Sequence, residues 1–111
     1  MRNLLFTAAV MLAFGTTAAV AGDPGAGSKK SQVCQACHGD TGNKTVDDST
    51  PKIGGQYESY LLQALRAYKS GARKNLIMTG QVANLNDVDL QDLAAYYARQ
   101  PLEIDDLSGL K

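Results

Sequence analysis

From Tyr57 to Ser70 the residues Tyr57, Leu61, Ala64, Leu65 and Tyr68 recur at steps of three and four. That spacing puts them on one face of a helix. Gly71 follows, in position to end it. A second stripe, Leu90, Leu93, Ala94 and Tyr97, begins after Asn86. Asn86 suits an N-cap, and Asp87 and Asp89 lie in the first turn, where the helix dipole favours acids. Pro101 stops this helix. Nearer the start, Asp23 and Pro24 form an N-cap and first-position pair for a helix reaching about Ala36. Gly25 and Gly27 weaken that helix, so it needs tertiary contacts to hold. Gly39 to Gly55, broken by Gly42, Pro51 and Gly54, reads as an irregular loop, and Ala72 to Leu85 as another. Strand-type alternation is absent. The predicted fold is all-α, with three main helices joined by two long loops.

The start of the chain has a different pattern. Leu4 to Phe14 is an apolar block with Arg2 ahead of it, and Ala19-Val20-Ala21 gives the small-x-small pattern before Gly22. This is the layout of a secretory signal peptide. A membrane anchor is the weaker reading, because roughly 20 apolar residues are needed to span a bilayer. The expected organisation is a cleaved leader over 1–21 and one domain over 22–111, which is exported to the periplasm. The domain has no transmembrane segment.

Composition adds a constraint. Removing the leader removes Phe6 and Phe14, and the chain has no tryptophan, which leaves Tyr57, Tyr60, Tyr68, Tyr96 and Tyr97 as the aromatics. A domain of this size is marginal on its own apolar side chains. A large flat apolar cofactor would supply the missing mass.

Cys34-Gln35-Ala36-Cys37-His38 names that cofactor, because C-x-x-C-H is the attachment pattern of a c-type haem. Thiols three positions apart share a helical face and can form thioethers along one porphyrin edge. The next residue's imidazole can then bind the iron as proximal ligand. Three rival readings are weaker. A disulfide across C-x-x-C closes too small a loop to restrain the unfolded chain much. Structural zinc needs four Cys or His ligands, and the chain offers three. A thioredoxin-like redox pair needs a βαβ context, which is missing. The opposite face of the iron needs its own ligand. His38 is the only histidine, and Met78 is the only methionine beyond the leader. An isolated methionine ordinarily fills a gap in a core. Here elimination points to Met78 as the sixth ligand, in a loop between two helices, with lysine ligation or an open position as alternatives.

With these motifs in hand, the whole domain resembles a class I cytochrome c, most closely one domain of the c4 and c553 types. The matching stretches are VCQACHGDTGN at 33–43, PKIGGQ at 51–56, YLLQALRAYKSGARKN at 60–75, IM at 77–78 and DLQDLAAYYARQP at 89–101. The c4-type proteins carry two such domains, and this chain has one C-x-x-C-H, so it resembles a single-haem relative or one half. The resemblance implies a fold wrapped around one covalently attached haem c. It also implies that the Pro51 carbonyl accepts the ring N–H of His38, and that Arg73 partners a haem propionate. Gly27 is implied as the small residue where the first and last helices cross, with Tyr97 against it. Turn and packing chemistry explain Pro51 and Gly27 equally well, and a solvated charge is the default reading of Arg73. Leu76 departs from the family, which commonly has proline two residues before the methionine ligand.

Charge is divided along the chain. Losing Arg2 with the leader leaves 10 basic residues against 11 acidic ones. Ser28 to Asn75 holds eight bases and four acids, whereas Leu76 onward holds two bases and six acids. A basic surround to the haem edge would steer an acidic redox partner, although ordinary solvated helix faces give the same counts. Nucleic-acid binding is not expected from a near-neutral chain with no concentrated basic stretch. The expected function is one-electron transfer between redox partner proteins, without enzymatic activity, since a six-coordinate iron leaves no position for substrate. The alternatives are a haem subunit of a larger oxidoreductase, or a gas-binding or peroxidase-like protein in which Met78 lets go.

Overall fold

The computed structural model describes Gly15 and residues 21–103. The predicted leader over 1–21, apart from Gly15 and Ala21, and residues 104–111 lie outside the described residues. Five helices account for the described chain: α1 (Pro24–Lys30), α2 (Gln32–His38), α3 (Glu58–Ser70), α4 (Leu76–Val82) and α5 (Asp87–Ala98). No strand occurs among the described residues, and none of their helices is long and apolar enough to cross a membrane.

The helix predicted from Pro24 to Ala36 is two short helices, and the second continues to His38. Asp23 caps α1 by accepting from the backbone N–H groups of Gly25 and Ala26. The break falls at Ser31, which is fully buried. Its hydroxyl donates to the Ser28 carbonyl at 2.8 Å and accepts from Gln35 Nε2 at 2.9 Å. A serine that bonds to the backbone in this way competes with the helical ladder. Cys34 N–H accordingly bonds to the Ser31 carbonyl at 2.8 Å, a tightened turn.

α5 forms as predicted, and Leu90, Leu93, Ala94 and Tyr97 are all buried. Asn86 accepts from Asp89 N–H, and the Asp89 side chain accepts from Asn86 N–H, completing a capping box. The helix ends at Ala98, short of Pro101, because the residue before a proline is pushed out of the α region. On α3 the stripe is oriented differently from the expectation. Leu61 is buried, Ala64, Leu65 and Tyr68 are half-buried, and Tyr57 is 81 % exposed, outside the helix at its N-cap. Most of this stripe faces a cavity instead of a protein core.

α1 crosses α5 at Gly27. A β-carbon there would collide with the Asp92 carbonyl and come within 2.8 Å of Tyr96 Cβ. The aromatic at the crossing is therefore Tyr96, not Tyr97 as the resemblance implied. Tyr97, one residue on, turns inward to the core cluster of Leu61, Leu93 and Ala94. The crossing is fastened by Asp92, a buried carboxylate that sequence reasoning missed. Asp92 Oδ1 accepts from Asp23 N–H at 2.8 Å, and Oδ2 accepts from Lys30 Nζ at 2.6 Å. Lys30 also meets Asp89 Oδ1 at 2.7 Å.

The segment 72–85, predicted as a loop, contains α4. Asn75 caps it by accepting from Met78 N–H at 2.9 Å. Gly80 and the branched Ile77, Thr79 and Val82 lower its helix propensity, which hides it from a periodicity search. Val82 alone in α4 is buried. Lys69 Nζ reaches over from α3 to the Ala83 carbonyl at 3.0 Å and ties the end of α4 down.

Candidate functional site

The C-terminal half of α2 delivers three reactive side chains together. Cys34 and Cys37 are half-buried free thiols, and His38 is 6 % exposed. Burial raises the Cys34 thiol above its ordinary value. His38 Nδ1 lies 2.8 Å from the Pro51 carbonyl. A carbonyl can only accept, so Nδ1 carries the proton and Nε2 is left with its lone pair for a metal. Pro51 itself is held in a loop whose Val46 N–H bonds to the Cys37 carbonyl at 2.9 Å.

A cavity of about 310 Å³ opens beside this group. Its walls are apolar, with Leu61 and Leu65 from α3 and Leu93 and Tyr97 from α5. Lys52 and Arg73 also line it. A second cavity of about 190 Å³ is lined by Cys37 and by Val33, Val46 and Ile77. Cys34, His38, Pro51, Tyr68 and Met78 line both, so the two are halves of one cleft. Of the predicted site residues, Cys34, His38, Pro51, Arg73 and Met78 line the larger half, and Cys37 the smaller. Arg73 packs its guanidinium 4.9 Å from the centre of the Tyr68 ring, which holds it at that wall.

Two features of the cleft were not read from sequence. Met78 stands on a capped helix, and Asn75 in its N-cap position was the available signal. Tyr97 lines the cleft with its ring, which meets Tyr96 edge-on at 5.0 Å. The Tyr97 hydroxyl lies near Ser31 without completing a hydrogen bond, and burial raises its pKa well above the ordinary phenol value.

The donor set suits a c-type haem. Two unpaired thiols, an imidazole with its Nε2 available and a thioether converge on one mostly apolar cleft. Structural zinc needs four Cys or His ligands, and Cys34, Cys37 and His38 are all that the chain has.

The family model for cytochrome c matches residues 25–98. The chain belongs to the cytochrome c family. It is 43 % identical over 104 residues to cytochrome c4 of Pseudomonas aeruginosa, covering 94 % of this chain and 51 % of that protein. It is 40 % identical over 83 residues to cytochrome c-554(548) of Halomonas halodenitrificans, covering 72 % of this chain and 99 % of that one. The crystal structure of reduced recombinant cytochrome c4 from Pseudomonas stutzeri superposes with a TM-score of 0.68 at 44 % identity, over 73 % of this chain and 47 % of that chain. The chain thus spans about half the length of the cytochrome c4 proteins it matches. The fold is that of a class I cytochrome c of the c4 and c553 type, a family defined by covalently bound haem c.

Proposed function

We propose that the chain is a periplasmic one-electron carrier with a single haem c, held by thioethers to Cys34 and Cys37 and by axial ligation from His38 and Met78. The observation that carries this reading is the convergence of all four residues on one cleft, with His38 Nδ1 already engaged by Pro51 at 2.8 Å. A haem bound there supplies a one-electron Fe(III)/Fe(II) couple.

The chain's own residues do the rest. Pro51 fixes the tautomer and orientation of His38, so Nε2 needs no rearrangement to serve as ligand. Leu61, Leu65, Leu93 and Tyr97 exclude water from one side of the cleft, which limits reorganisation when charge changes. Arg73, at the cleft wall, is placed to pair with a propionate. With His38 and Met78 both used, no position is left for a substrate, and the chain acts as a carrier and not an enzyme. Val33, Val46 and Ile77 are each more than half exposed around the smaller half of the cleft. Together they give a redox partner an apolar contact face close to the thioethers. The match to nearly the whole of cytochrome c-554(548) favours a unit that works alone, whereas the half-length match to cytochrome c4 favours a haem domain within a larger assembly. The leader pattern over 1–21 supports export, with cleavage before Gly22.

Expression in a host that matures c-type cytochromes tests the reading. The expected product is a red periplasmic protein that begins at Gly22, holds one iron per chain and keeps its pigment in acidified acetone. Its visible spectrum is low-spin, with the weak red band of a sulfur–ferric bond. Colourless protein, or pigment lost to the solvent, would contradict covalent attachment.

A further inference from the structure

The loop that carries Pro51 is fastened to the far end of α5 by three hydrogen bonds. Tyr96 Oη donates to the Asp40 carbonyl at 2.7 Å. Gly55 N–H donates to the Tyr97 carbonyl at 2.9 Å. Asn43 Nδ2 donates to the Pro101 carbonyl at 2.8 Å, across 58 residues of sequence. Asn43 is 5 % exposed, and its Oδ1 has no partner. A buried amide satisfied on one side only is costly, so its donor side has to offset that cost.

The surroundings show what the donor side holds. The Gly54 backbone runs directly over Asn43, and a β-carbon on Gly54 would lie 2.6 Å from Nδ2. Ile53 and Gly54 N–H groups bond back to the Gly42 carbonyl at 2.8 and 3.3 Å. The turn 39–43 and the segment 51–55 are therefore tied into one piece. That piece begins on one side with the residue after His38 and on the other with Pro51, whose carbonyl meets His38.

We infer that Asn43, backed by Tyr96, is a positioning residue for His38. It sets how closely the Pro51 carbonyl approaches Nδ1, and through that the electron donation of the imidazole. The inference rests on His38 being an iron ligand, as proposed above. A firm Nδ1–H···O=C bond makes the imidazole more basic, which favours the ferric state. Loosening it favours the ferrous state. Neither Asn43 nor Tyr96 lines either half of the cleft, so neither acts on the potential by direct contact. The exchange rate at His38 Nδ1–H separates an effect carried by the loop from one carried by the Tyr97 ring that Tyr96 meets.

The holoprotein variants Asn43→Ala and Tyr96→Phe test this, with two readouts. One is the midpoint potential, and the other is deuterium exchange at the His38 Nδ1–H in the reduced protein, followed by NMR. Asn43→Ala is expected to raise the potential and to speed exchange roughly fivefold, the factor that loss of one net hydrogen bond carries. Tyr96→Phe is expected to move both the same way by less. Arg66→Ala, which removes the exposed ion pair to Asp87 at 2.7 Å, should leave both unchanged. Unchanged potential and exchange in Asn43→Ala and Tyr96→Phe, whatever their thermal stability, overturns the positioning role. Should Asn43→Ala fail to accumulate, Tyr96→Phe decides alone, since it deletes one oxygen without changing the packing of the ring. Wild-type protein with no iron bound to His38 sinks both this inference and the carrier reading. A normal wild type with inert variants sinks this inference alone.

Discussion

At the scale of single residues, chemistry and packing make separate demands that adjacent positions satisfy. Cys37 and His38 are neighbours in sequence, yet one thiol lines the smaller half of the cleft while the imidazole is held against Pro51. Tyr96 and Tyr97 divide their work in the same way, Tyr96 against Gly27 at the helix crossing and Tyr97 toward the cleft. Met78→Ala should lower the midpoint potential by a substantial part of the roughly 0.8 V that axial ligands command. It should also let the reduced protein bind carbon monoxide at neutral pH. A variant with an unaltered potential would mean that another group holds the iron. Gly27→Ala drives a methyl group into the Asp92 carbonyl, and backbone cannot move aside as a flexible side chain can. Its expected cost is about 2–3 kcal/mol, the upper part of the range for overpacking, read from guanidinium unfolding of the holoprotein.

At the scale of elements, caps explain more than periodicity does. α5 is announced by both its stripe and its capping box, and it forms where both place it. Asn86→Ala should cost about 1 kcal/mol in global unfolding, the usual value of a lost N-cap. α4 has no stripe, because only Val82 packs inward, and its sole sequence signal is the asparagine before it. That asparagine accepts from Met78 N–H, so Asn75→Ala should loosen the methionine segment locally more than it destabilises the whole. The expected sign is faster carbon monoxide binding to the reduced variant, with a thermal midpoint close to that of wild type. Equal binding rates would show that Met78 is held by its side chain alone. α1 and α2 separate at Ser31 because a buried hydroxyl bonds inside the helix, and this becomes visible only once Ser31 is known to be buried.

For the whole molecule, the link between α1 and α5 is ionic as well as steric, and that gives stability a pH dependence. Hydrogen bonding from the Lys30 ammonium is the main reason that Asp89 and Asp92 lie below the ordinary carboxylate value. Asp87 is drawn down to about 2, chiefly by Arg66. Carboxyls lowered in the folded state stabilise it fully above their unfolded value of about 4, and that contribution disappears as pH falls through the folded values. Lys30 is raised by the same contacts, so its share is present below its unfolded value and is lost only as alkaline pH passes its folded one. Guanidinium midpoints should therefore be flat near neutrality and decline between about pH 4 and 2. Asp92→Asn should be less stable at pH 7 and decline less steeply in acid. Parallel acid limbs for the two proteins would remove Asp92 from the account.

Residue identity alone narrowed the chemistry: a C-x-x-C-H run, with one histidine in the chain and one methionine beyond residue 21, leaves few ways to hold an iron porphyrin. Local pattern determined α3 and α5, because a helix needs only near neighbours and a stripe to bury. Tertiary structure decided everything that depends on what lies opposite. It set Tyr96 rather than Tyr97 against Gly27, turned the α3 stripe toward the cleft, and buried Asp92 between Lys30 and the backbone of Asp23. It also brought Asn43 under Gly54 and against Pro101. Those partners lie tens of residues apart, and no spacing rule connects them, because their distances are set by how whole helices cross.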